Sequence, residues 1–447
     1  MRKREIFVLG LDDFHRQLLE DLPQASECRF HGLLTMERIR RGDRIPIREL
    51  IEEALAELDR FDGQVDAILG FWDFPINCLV PILSARVGLP HMPLAGVVAC
   101  EHKYWARVVE ERVVPGAIPP FQAVHPFRPD AASSIGLDFP FWIKPIMSYS
   151  SYLGFHIDGP DLLVASLATI RSGIGQLGEP FDHVLDMLDL PDDVAHVRGD
   201  WCIVEGIIGG HQCTLEGFVH HGRAQVYGIV DSLRVPGGIS FASYRYPSAL
   251  PERVQERMIS MACRTVEALG LDQAAWNVEC FWDEGADHVW LLEVNSRLSE
   301  SHTDLFSKVD GVSNQSVMLD LALDRTPSMP HRQGNYAHAA KFFVRRADDA
   351  HVESVPGPED IAAVEQAFPD TRVIVRAHPG EWLHDLPYQD SYTYELAWIY
   401  MGGNSSVELE ERYRACAERL RFRFTDEGYR TGLDFAGPDP RIREANL

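Results

Sequence analysis

The chain has 447 residues, of which 45% are hydrophobic and 24% are charged, and this is ordinary for a globular protein of two or three domains. Its formal net charge of -25 argues against nucleic acid or an anionic membrane surface as the main partner, because both would repel it. The sequence has no apolar run near the roughly 20 residues that a membrane-spanning helix needs.

The eight cysteines are scattered, without a C-x-x-C or a paired Cys/His spacing. Neither a zinc knuckle nor a disulfide framework is therefore indicated. The N-terminal stretch "MRKREIFVLGLDDF" has too few apolar residues before its acids to be a signal peptide. We expect a protein of the reducing cytoplasm.

Residues 1–100 show alternating strand and helix patterns. "EIFVLG" and "VDAILGFWD" are short apolar strands, and "INCLVPILSARVG" after the second is a helical pattern. Alternation of this kind predicts a compact α/β domain with a parallel sheet.

Residues 101–325 show a different pattern of predicted elements, in which hairpins replace the alternation of strand and helix. "EHKYWARVVEERVV" predicts a helix, and "FWIKPIMSYSSYLGFHI" predicts two strands around a Ser-rich turn. A hairpin turning at His221-Gly222, an amphipathic helix ending at Gly270 and a second hairpin follow.

Residues 326–447 are predicted as a C-terminal α+β domain. They contain the strands "AAKFFV" and "TRVIVRAH" and close with the helix "SVELEERYRACAERLRF". The last twenty or so residues are polar and contain Gly and Pro, so we expect a loosely held tail.

The second hairpin carries the most informative pattern. Folding it about its midpoint places Glu279 opposite Glu293, and Asn277 opposite Asn295, on one face. Two glutamates facing each other across a sheet repel, so they are either solvated or hold a cation between them. Asn295 favours a hard divalent cation, and Arg297, one pleat further on, suits an anion held by that cation. The other face is predicted to be core, formed by Val278, Cys280 and Trp282 against Trp290, Leu292 and Val294.

With Glu279 in the preceding strand, "VWLLEVNSRLS" resembles the metal-binding signature of the ATP-grasp superfamily. Lys103 and Lys144 stand where that family places its two phosphate-binding lysines, and only five lysines occur in the whole chain. "IVEGII" resembles the family's adenine hinge. The order of regions is similar to the biotin-carboxylase-like branch of carboxylate–amine (amino acid and peptide) ligases.

The resemblance implies an α/β chain with the α+β ATP-grasp fold in three consecutive parts. These are a parallel-sheet pre-ATP-grasp domain over 1–100, a two-lobed ATP-grasp region over 101–325 with its lid lobe at about 138–206, and a β-rich C-terminal domain over 326–447. Dimerisation through the first and last parts is common in such relatives and is expected here.

The resemblance also implies an ADP-forming ligase that activates a small carboxylate, such as an amino acid, as an acyl phosphate and couples it to an amine. Arg297 would contact the carboxylate and the developing acyl phosphate. One or two Mg²⁺ ions, with Mn²⁺ as an alternative, would be bound by Glu279, Glu293 and Asn295. ATP would be bound by Lys103, Lys144, Ser150, Ser151, Glu205, Gly206, Ile208 and Gln212. Glu300 and His302 are candidates for substrate recognition.

This sequence departs from the family pattern at three places. The lid has fewer glycines and carries Tyr149 and Tyr152, which could instead reach substrate. Gln212 stands where the family often has a ribose-binding glutamate, and Asp231 or Arg234 would replace a lysine. Two alternatives therefore stay open: biotin-carboxylase-like carboxylation, which the missing glycine-dense lid disfavours, and a catalytically inactive ATP-binding protein.

Overall fold

The computed structural model describes residues 2–40, 45–149, 152–235, 238, 240–386, 392–425 and 428–432. The strands are β1 (Arg4–Leu9), β2 (Cys28–Leu33), β3 (Val65–Leu69), β4 (Phe121–Val124), β5 (Phe141–Pro145), β6 (Phe155–Ile157), β7 (Cys202–Gly206), β8 (His211–His220), β9 (Arg223–Arg234), β10 (Phe241–Tyr246), β11 (Ala274–Asp283), β12 (His288–Asn295), β13 (His338–Arg346), β14 (Val352–Ser354), β15 (Arg372–Val375), β16 (Tyr394–Gly403), β17 (Arg421–Phe424) and β18 (Gly428–Thr431).

The α-helices are α1 (Asp13–Glu20), α2 (Met36–Ile39), α3 (Ile47–Asp59), α4 (Ile76–Arg86), α5 (Leu94–Glu101), α6 (Lys103–Val113), α7 (Pro160–Gly173), α8 (Gly175–Leu185), α9 (Glu252–Ala268), α10 (Thr303–Asp310), α11 (Gln315–Ala322), α12 (Pro358–Ala367) and α13 (Ser406–Ala417). Short 3₁₀ helices occupy Pro23–Glu27, Pro115–Ala117, Glu300–His302 and Leu383–Asp385. Within the described ranges, the structure has no helix that is both long enough and apolar enough to cross a membrane.

The N-terminal sheet is parallel, as the alternating pattern predicts. Its order is β2-β1-β3, and β1 pairs in parallel with both neighbours. The strands are nearly continuous apolar runs because they are covered on both faces. Ile6 and Val8 pack towards one cluster, and Phe7 and Leu9 pack towards another.

A separate four-stranded antiparallel sheet has the order β4-β7-β5-β6, and its strands β5, β6 and β7 lie in the region predicted as the lid lobe, whereas β4 precedes that region. Helix α7 packs on it, and both contribute to one small apolar cluster that includes Phe141, Val204 and Ile170. The predicted strand–turn–strand segment over residues 138–157 is confirmed in β5 and β6.

An eight-stranded sheet forms the centre of the molecule, in the order β12-β11-β8-β9-β10-β13-β16-β15. The predicted hairpin at His221-Gly222 joins β8 to β9, and both turn residues have positive φ, 51° and 69°, as a tight hairpin turn requires. Strands β10 and β13 pair antiparallel, so the sheet continues across the predicted boundary at residue 325. The domain boundaries themselves stay a prediction.

The C-terminal end of the chain differs from the prediction. Helix α13 ends at Ala417, and the residues after it form β17, where "RFRF" alternates exposed and buried side chains in a strand rather than continuing the helix. Strand β18 pairs with β17 and lies within the predicted loose tail, so that part of the prediction was wrong. The rest of the tail, residues 433–447, lies outside the described residues.

Two backbone segments of the lid lobe contact each other at Gly178 and Gly199. A Cβ atom added to Gly178 would lie 2.2 Å from the carbonyl oxygen of Gly199. We expect Gly178→Ala to lower the free energy of unfolding by about 2 kcal/mol, because backbone cannot yield as a flexible side chain can. The matched control is Gly159→Ala in the same lobe, where an added Cβ meets nothing within 4 Å. Equal effects in chemical denaturation would contradict the close approach.

Candidate active site

The two hairpin glutamates face each other as predicted. Glu279 pairs with Glu293 and Asn277 pairs with Asn295 in the antiparallel ladder of β11 and β12. Asn295 Nδ2 donates to Asn277 Oδ1 at 3.0 Å, which leaves the amide oxygen of Asn295 available as a ligand. Burial and the facing carboxylate of Glu293 raise the pKa of Glu279 to about 6. The pair therefore lacks full compensation for its negative charge.

The structure confirms the predicted core face on β11, where Val278, Cys280 and Trp282 are buried, but on β12 only Val294 of the three predicted residues is buried. A β-bulge lies between Glu279 and Cys280, and it pairs Cys280 with Leu291. Leu291 is buried, whereas Trp290 and Leu292 are half-buried on the other face. One extra residue in one strand exchanges the faces of all residues beyond it, so strict alternation fails there.

Lys103 lies beside Glu293. The predicted single helix is broken at His102, whose ring caps the start of α6 by accepting from the amide of Trp105, so Lys103 is the first residue of that helix. Its ammonium donates to Glu293 Oε1 at 2.7 Å and to the carbonyl oxygen of Ser148 at 2.6 Å. Although burial alone would raise the pKa of Glu293, the charge of Lys103 helps to hold it below its usual value.

Lys144 belongs to a second buried charge cluster. Its ammonium lies 2.6 Å from Glu205 Oε2, and Arg107 Nε donates to Glu205 Oε1 at 2.6 Å. Arg107 also pairs with Glu110 on its own helix and donates to the carbonyl oxygen of Leu292 at 2.6 Å. Burial alone would raise the pKa of Glu205, but the two cations lower it to about 2. Lys144 and Glu205 are thus in contact.

Sequence reasoning missed Arg107, which is 3% exposed and connects the lid sheet to the hairpin. A signal was present in the sequence, since Arg107 and Glu110 lie three residues apart on one helix face. That spacing is usual for surface pairs, and nothing local distinguishes a buried one.

Gln212 lies beside the metal-ligand candidates. Its Nε2 donates to Glu279 Oε2 at 2.9 Å, and its Oε1 accepts from Arg234 at 2.6 Å. Of the two predicted substitutes for the family's lysine, Arg234 is the one that contacts Gln212. Asp231 faces elsewhere and accepts from the hydroxyl of Ser248 at 2.6 Å.

The hinge candidates follow β7. Gly206 ends that strand, and its amide donates to the carbonyl oxygen of Pro120 at 2.9 Å. A Cβ on Gly206 would lie 3.1 Å from the Pro120 ring. Ile208, two residues further on, is half-buried and outside any strand. On one side, the backbone of the predicted hinge therefore packs closely against Pro120.

Ser150 and Ser151 of the predicted lid lie outside the described residues. Of the two lid tyrosines, Tyr152 donates through its hydroxyl to Gln176 Oε1 at 2.8 Å on helix α8. That contact fixes its side chain against the lid lobe. Tyr149 packs at the edge of the main apolar cluster.

Arg297 contacts the N-terminal region. Its Nε donates to Asp73 Oδ1 at 2.5 Å, and its carbonyl oxygen accepts from Asn277 Nδ2 at 2.9 Å. Glu101 lies in the same group and accepts from Asn77 Nδ2 at 2.5 Å. Burial and Asp73 raise the pKa of Glu101 to about 7. Asp73 and Glu101 were not predicted, because they are brought here by segments more than 190 residues before Arg297 in the chain.

The segment after Arg297 is fixed by Glu216, which is fully buried. Glu216 accepts from His302 Nδ1 at 2.9 Å, from the amide of Ser299 at 3.1 Å and from the hydroxyl of Tyr227 at 3.1 Å. His302 is itself 2% exposed, so it is no surface residue. A lone acid in the apolar stretch "TLEGFV" was the available sequence signal for Glu216.

Glu300, the other substrate candidate, lies against helix α1. Its Oε1 is 3.4 Å from His15 Nε2, and His15 Nδ1 lies 2.6 Å from Asp12 Oδ1. Burial alone would raise the pKa of Glu300, but His15 and Lys341 hold it below its usual value. The pre-ATP-grasp segment and the C-terminal strands therefore both meet the predicted substrate side of the site.

No protein-family model matches this sequence, and no curated protein sequence matches it. Solved structures, in contrast, match it over nearly its whole length. The L-amino acid ligase from Bacillus licheniformis superposes with a TM-score of 0.68 at 14% identity, covering 95% of this chain and 100% of that one.

Two other structures are similar. The N5-carboxyaminoimidazole synthase from Aspergillus clavatus, in complex with ADP and 5-aminoimidazole ribonucleotide, has a TM-score of 0.63 at 12% identity over 94% of this chain and 98% of its own. The biotin carboxylase from Campylobacter jejuni has a TM-score of 0.60 at 12% identity over 99% and 97%. This likeness confirms the ATP-grasp fold predicted from the sequence.

Replacing Arg107 by Met should lower the free energy of unfolding by about 3–5 kcal/mol, because Glu110 would stay buried without a cation and Glu205 would keep only Lys144. Denaturant unfolding measures the change. The control is Arg112→Met on the same helix, whose partner is the exposed Asp193; side chains of that pair are 64% and 43% exposed. That variant should differ from wild type by less than about 0.5 kcal/mol.

Glu279→Gln should stabilise the unliganded protein by about 1 kcal/mol at pH 8 and have little effect at pH 4.5. The pKa of Glu279 is higher in the folded state than in the unfolded state, so its protonated form favours folding. This contribution to stability is fully present below the ordinary pKa of a glutamate and is lost as the pH rises through about 6. Glutamine removes the repulsion at pH 8. Glu284→Gln, in the exposed turn of the same hairpin, should show no such pH-dependent difference. Destabilisation of Glu279→Gln at pH 8 would contradict this account.

Proposed function

We propose that this chain is an ADP-forming ligase, which phosphorylates a small carboxylate with Mg-ATP and couples the resulting acyl phosphate to an amine. The facing Glu279 and Glu293 carry the proposal, with the Asn295 amide and Arg297 at the same end of the hairpin. Two carboxylates and an amide oxygen are the donors that Mg²⁺ prefers, and the raised pKa of Glu279 marks negative charge that a cation would balance. When bound, the metal neutralises developing charge on the phosphates.

The two lysines support the phosphate side of the proposal. Lys103 and Lys144 are each held by a carboxylate, those of Glu293 and Glu205. When ATP binds, its phosphate oxygens would replace these carboxylates as partners of the lysines. A lysine suits that role because its ammonium is a compact charge on a flexible side chain. Because both oxygens of Glu205 are already occupied by cations, adenine contacts at this hinge would come from backbone groups near Gly206 and Ile208. Ser150 and Ser151 stay predicted lid ligands, and Gln212 stays the predicted ribose ligand.

Arg297 is assigned to the reacting carboxylate. The ion pair with Asp73 holds the Arg297 guanidinium beside the end of the hairpin. A substrate carboxylate would accept hydrogen bonds from some of the five N–H donors of this guanidinium. A substrate oxygen attacks the γ-phosphorus and ADP leaves. The amine then attacks the acyl carbon, the C–N bond forms, and phosphate departs with the electron pair of the broken C–O bond. Positioning of these groups would supply most of the rate enhancement over the uncatalysed reaction.

The substrates proposed are a small carboxylate and an amine, in line with the structural similarity to the L-amino acid ligase and the N5-carboxyaminoimidazole synthase. One or two Mg²⁺ ions, with Mn²⁺ as an alternative, belong to the same proposal. So do homodimerisation and a cytoplasmic location.

The test measures ADP and hydroxamate from Mg-ATP, pooled small carboxylates and hydroxylamine, which traps an acyl phosphate. We expect carboxylate-dependent ADP and hydroxamate in equal amounts. ADP that requires bicarbonate, without hydroxamate, would favour the carboxylation alternative. Tight ATP binding without turnover in any pool would favour an inactive ATP-binding protein.

Lys144→Met should reduce hydroxamate formation at least 100-fold, because it removes a charge that phosphate needs and leaves Glu205 with one cation fewer. Lys3→Met, at an exposed lysine remote from the hairpin, is the control and should retain full activity. Circular dichroism checks that both variants fold. Undiminished activity in Lys144→Met would remove that residue from the phosphate site.

A further inference from the structure

Lys341 is a buried lysine that the proposed chemistry does not use. It lies in β13, is 1% exposed, and its ammonium donates to Ser301 Oγ at 2.9 Å. Within the described part of the chain, no carboxylate oxygen lies within 4 Å of it, so it differs from the paired Lys103 and Lys144. An ammonium has three donors, and burying its charge with one hydrogen bond is costly. Burial lowers the pKa of Lys341 to about 8.

Aromatic rings surround this ammonium. The Nζ atom lies 3.6 Å from the centroid of Trp398, 4.9 Å from that of Phe343 and 5.4 Å from that of Tyr400. Ring faces attract a cation and partly offset the lost hydration. They provide no hydrogen-bond acceptor, so two of the three N–H donors stay available.

Two neighbouring arginines also have unused donors. The Cζ atom of Arg376 lies 4.6 Å from the same Trp398 centroid, and its buried Nε has no hydrogen-bond partner among the described residues. Arg372 stands opposite Tyr400 in the ladder, and its buried Nη1 likewise has no partner in the described part of the chain. Positive charge and open donors therefore accumulate on this part of the sheet. Such a combination suits an anion.

This cluster shares a sheet with the proposed catalytic residues. Tyr244, Lys341, Tyr400 and Arg372 form one row across β10, β13, β16 and β15. The row begins at the segment that follows Arg297, because the Tyr244 ring packs edge-on against the His302 ring with their centroids 5.0 Å apart. The anion site would thus lie on the substrate side of the same molecule-wide sheet.

Glu300 provides a complementary negative charge. It is the chain neighbour of Ser301, which binds Lys341, and its carboxylate lies too far from that ammonium for an ion pair. The two groups still influence each other electrostatically. A separated cation and anion of this kind match the carboxylate and the amino group of one zwitterion.

We propose that Lys341, supported by Arg376, binds the carboxylate of the amine substrate, and that Glu300 lies beside its amino group, so that the acceptor is an α-amino acid. This inference rests on the proposed ligase function and names its acceptor class. Trp398 is half-buried, and its ring packs against the ammonium of Lys341. The amino group, after losing a proton, attacks the acyl phosphate as described above.

The test compares each α-amino acid with its own carboxamide as acceptor, using the carboxylate found in the hydroxamate screen. Wild type should use the amino acid at least 10-fold better in kcat/KM. Lys341→Met should lose that preference, raising KM for amino acids about 10- to 100-fold, as expected for one charge-assisted contact. Its hydroxamate formation should stay within about 2-fold of wild type, because hydroxylamine has no carboxylate. Lys341→Arg should restore part of the preference.

A Lys341→Met variant that keeps the full preference would overturn the subsite and leave the ligase proposal standing. The subsite would also be overturned, with the ligase proposal still standing, if the wild-type protein did not distinguish amino acids from their carboxamides. This comparison uses the wild-type protein alone, so it does not depend on the folding of a variant. Absence of hydroxamate in wild type with every carboxylate would overturn the ligase function and this inference together. Equal loss of hydroxamate and amide formation in both Lys341 variants would indicate a structural role and reject the subsite.

Discussion

Repulsion between two carboxylates across one hairpin is the constraint on which the rest of the site depends. Glu279 and Glu293 cannot both carry full charge without nearby cations, and the fold supplies these unequally. Glu293 accepts from the ammonium of Lys103 at 2.7 Å, whereas Glu279 accepts from the neutral amide of Gln212 at 2.9 Å and has Arg297 and Arg234 at longer range. The unequal supply explains why their pKa values move in opposite directions. It also leaves one carboxylate poorly compensated at the position where a divalent cation would bind.

The surrounding charges are arranged in chains rather than in isolated pairs. Arg107 connects Glu205 of the lid sheet, Glu110 of its own helix and a backbone carbonyl of β12. Ordering one guanidinium therefore fixes two separate sheets relative to each other. Glu216 acts similarly on the substrate side, where it holds His302 and the amide of Ser299. Buried networks of this kind are costly when incomplete, which explains the need for several partners at each acid.

Local sequence logic predicted the parts of the site that lie on one hairpin. The pairing of residues 279 and 293 follows from alternation and a short turn, and the structure has that register. The bulge one residue further on was not visible, since an inserted residue leaves composition and polarity unchanged. The helix break at His102 was missed for a related reason, because "EHKYW" has no Gly or Pro to mark it.

Partners from distant segments were also beyond local patterns. Asp73 reaches Arg297 from the N-terminal sheet region, and Lys341 reaches Ser301 from the C-terminal strands. Arg297 is recognisable in its motif, whereas Asp73 has no motif that would connect it with the hairpin. The resemblance to the ATP-grasp family implies phosphate-binding roles for Lys103 and Lys144, and these roles stay predictions. Contacts that depend on tertiary packing became visible only in the structure.

The continuous eight-stranded sheet has a consequence for how such a protein could be shortened or recombined. Strand β10 pairs with β13 through Ser243 to Tyr246, so a hydrogen-bonded ladder crosses the boundary predicted at residue 325. A chain cut after residue 325 would present the open edge of β10, with buried aromatic residues beside it, to other molecules. Exchange of the C-terminal strands between relatives would have to preserve this ladder. Replacement of single side chains on these strands therefore disturbs the sheet less than exchange of the whole C-terminal segment.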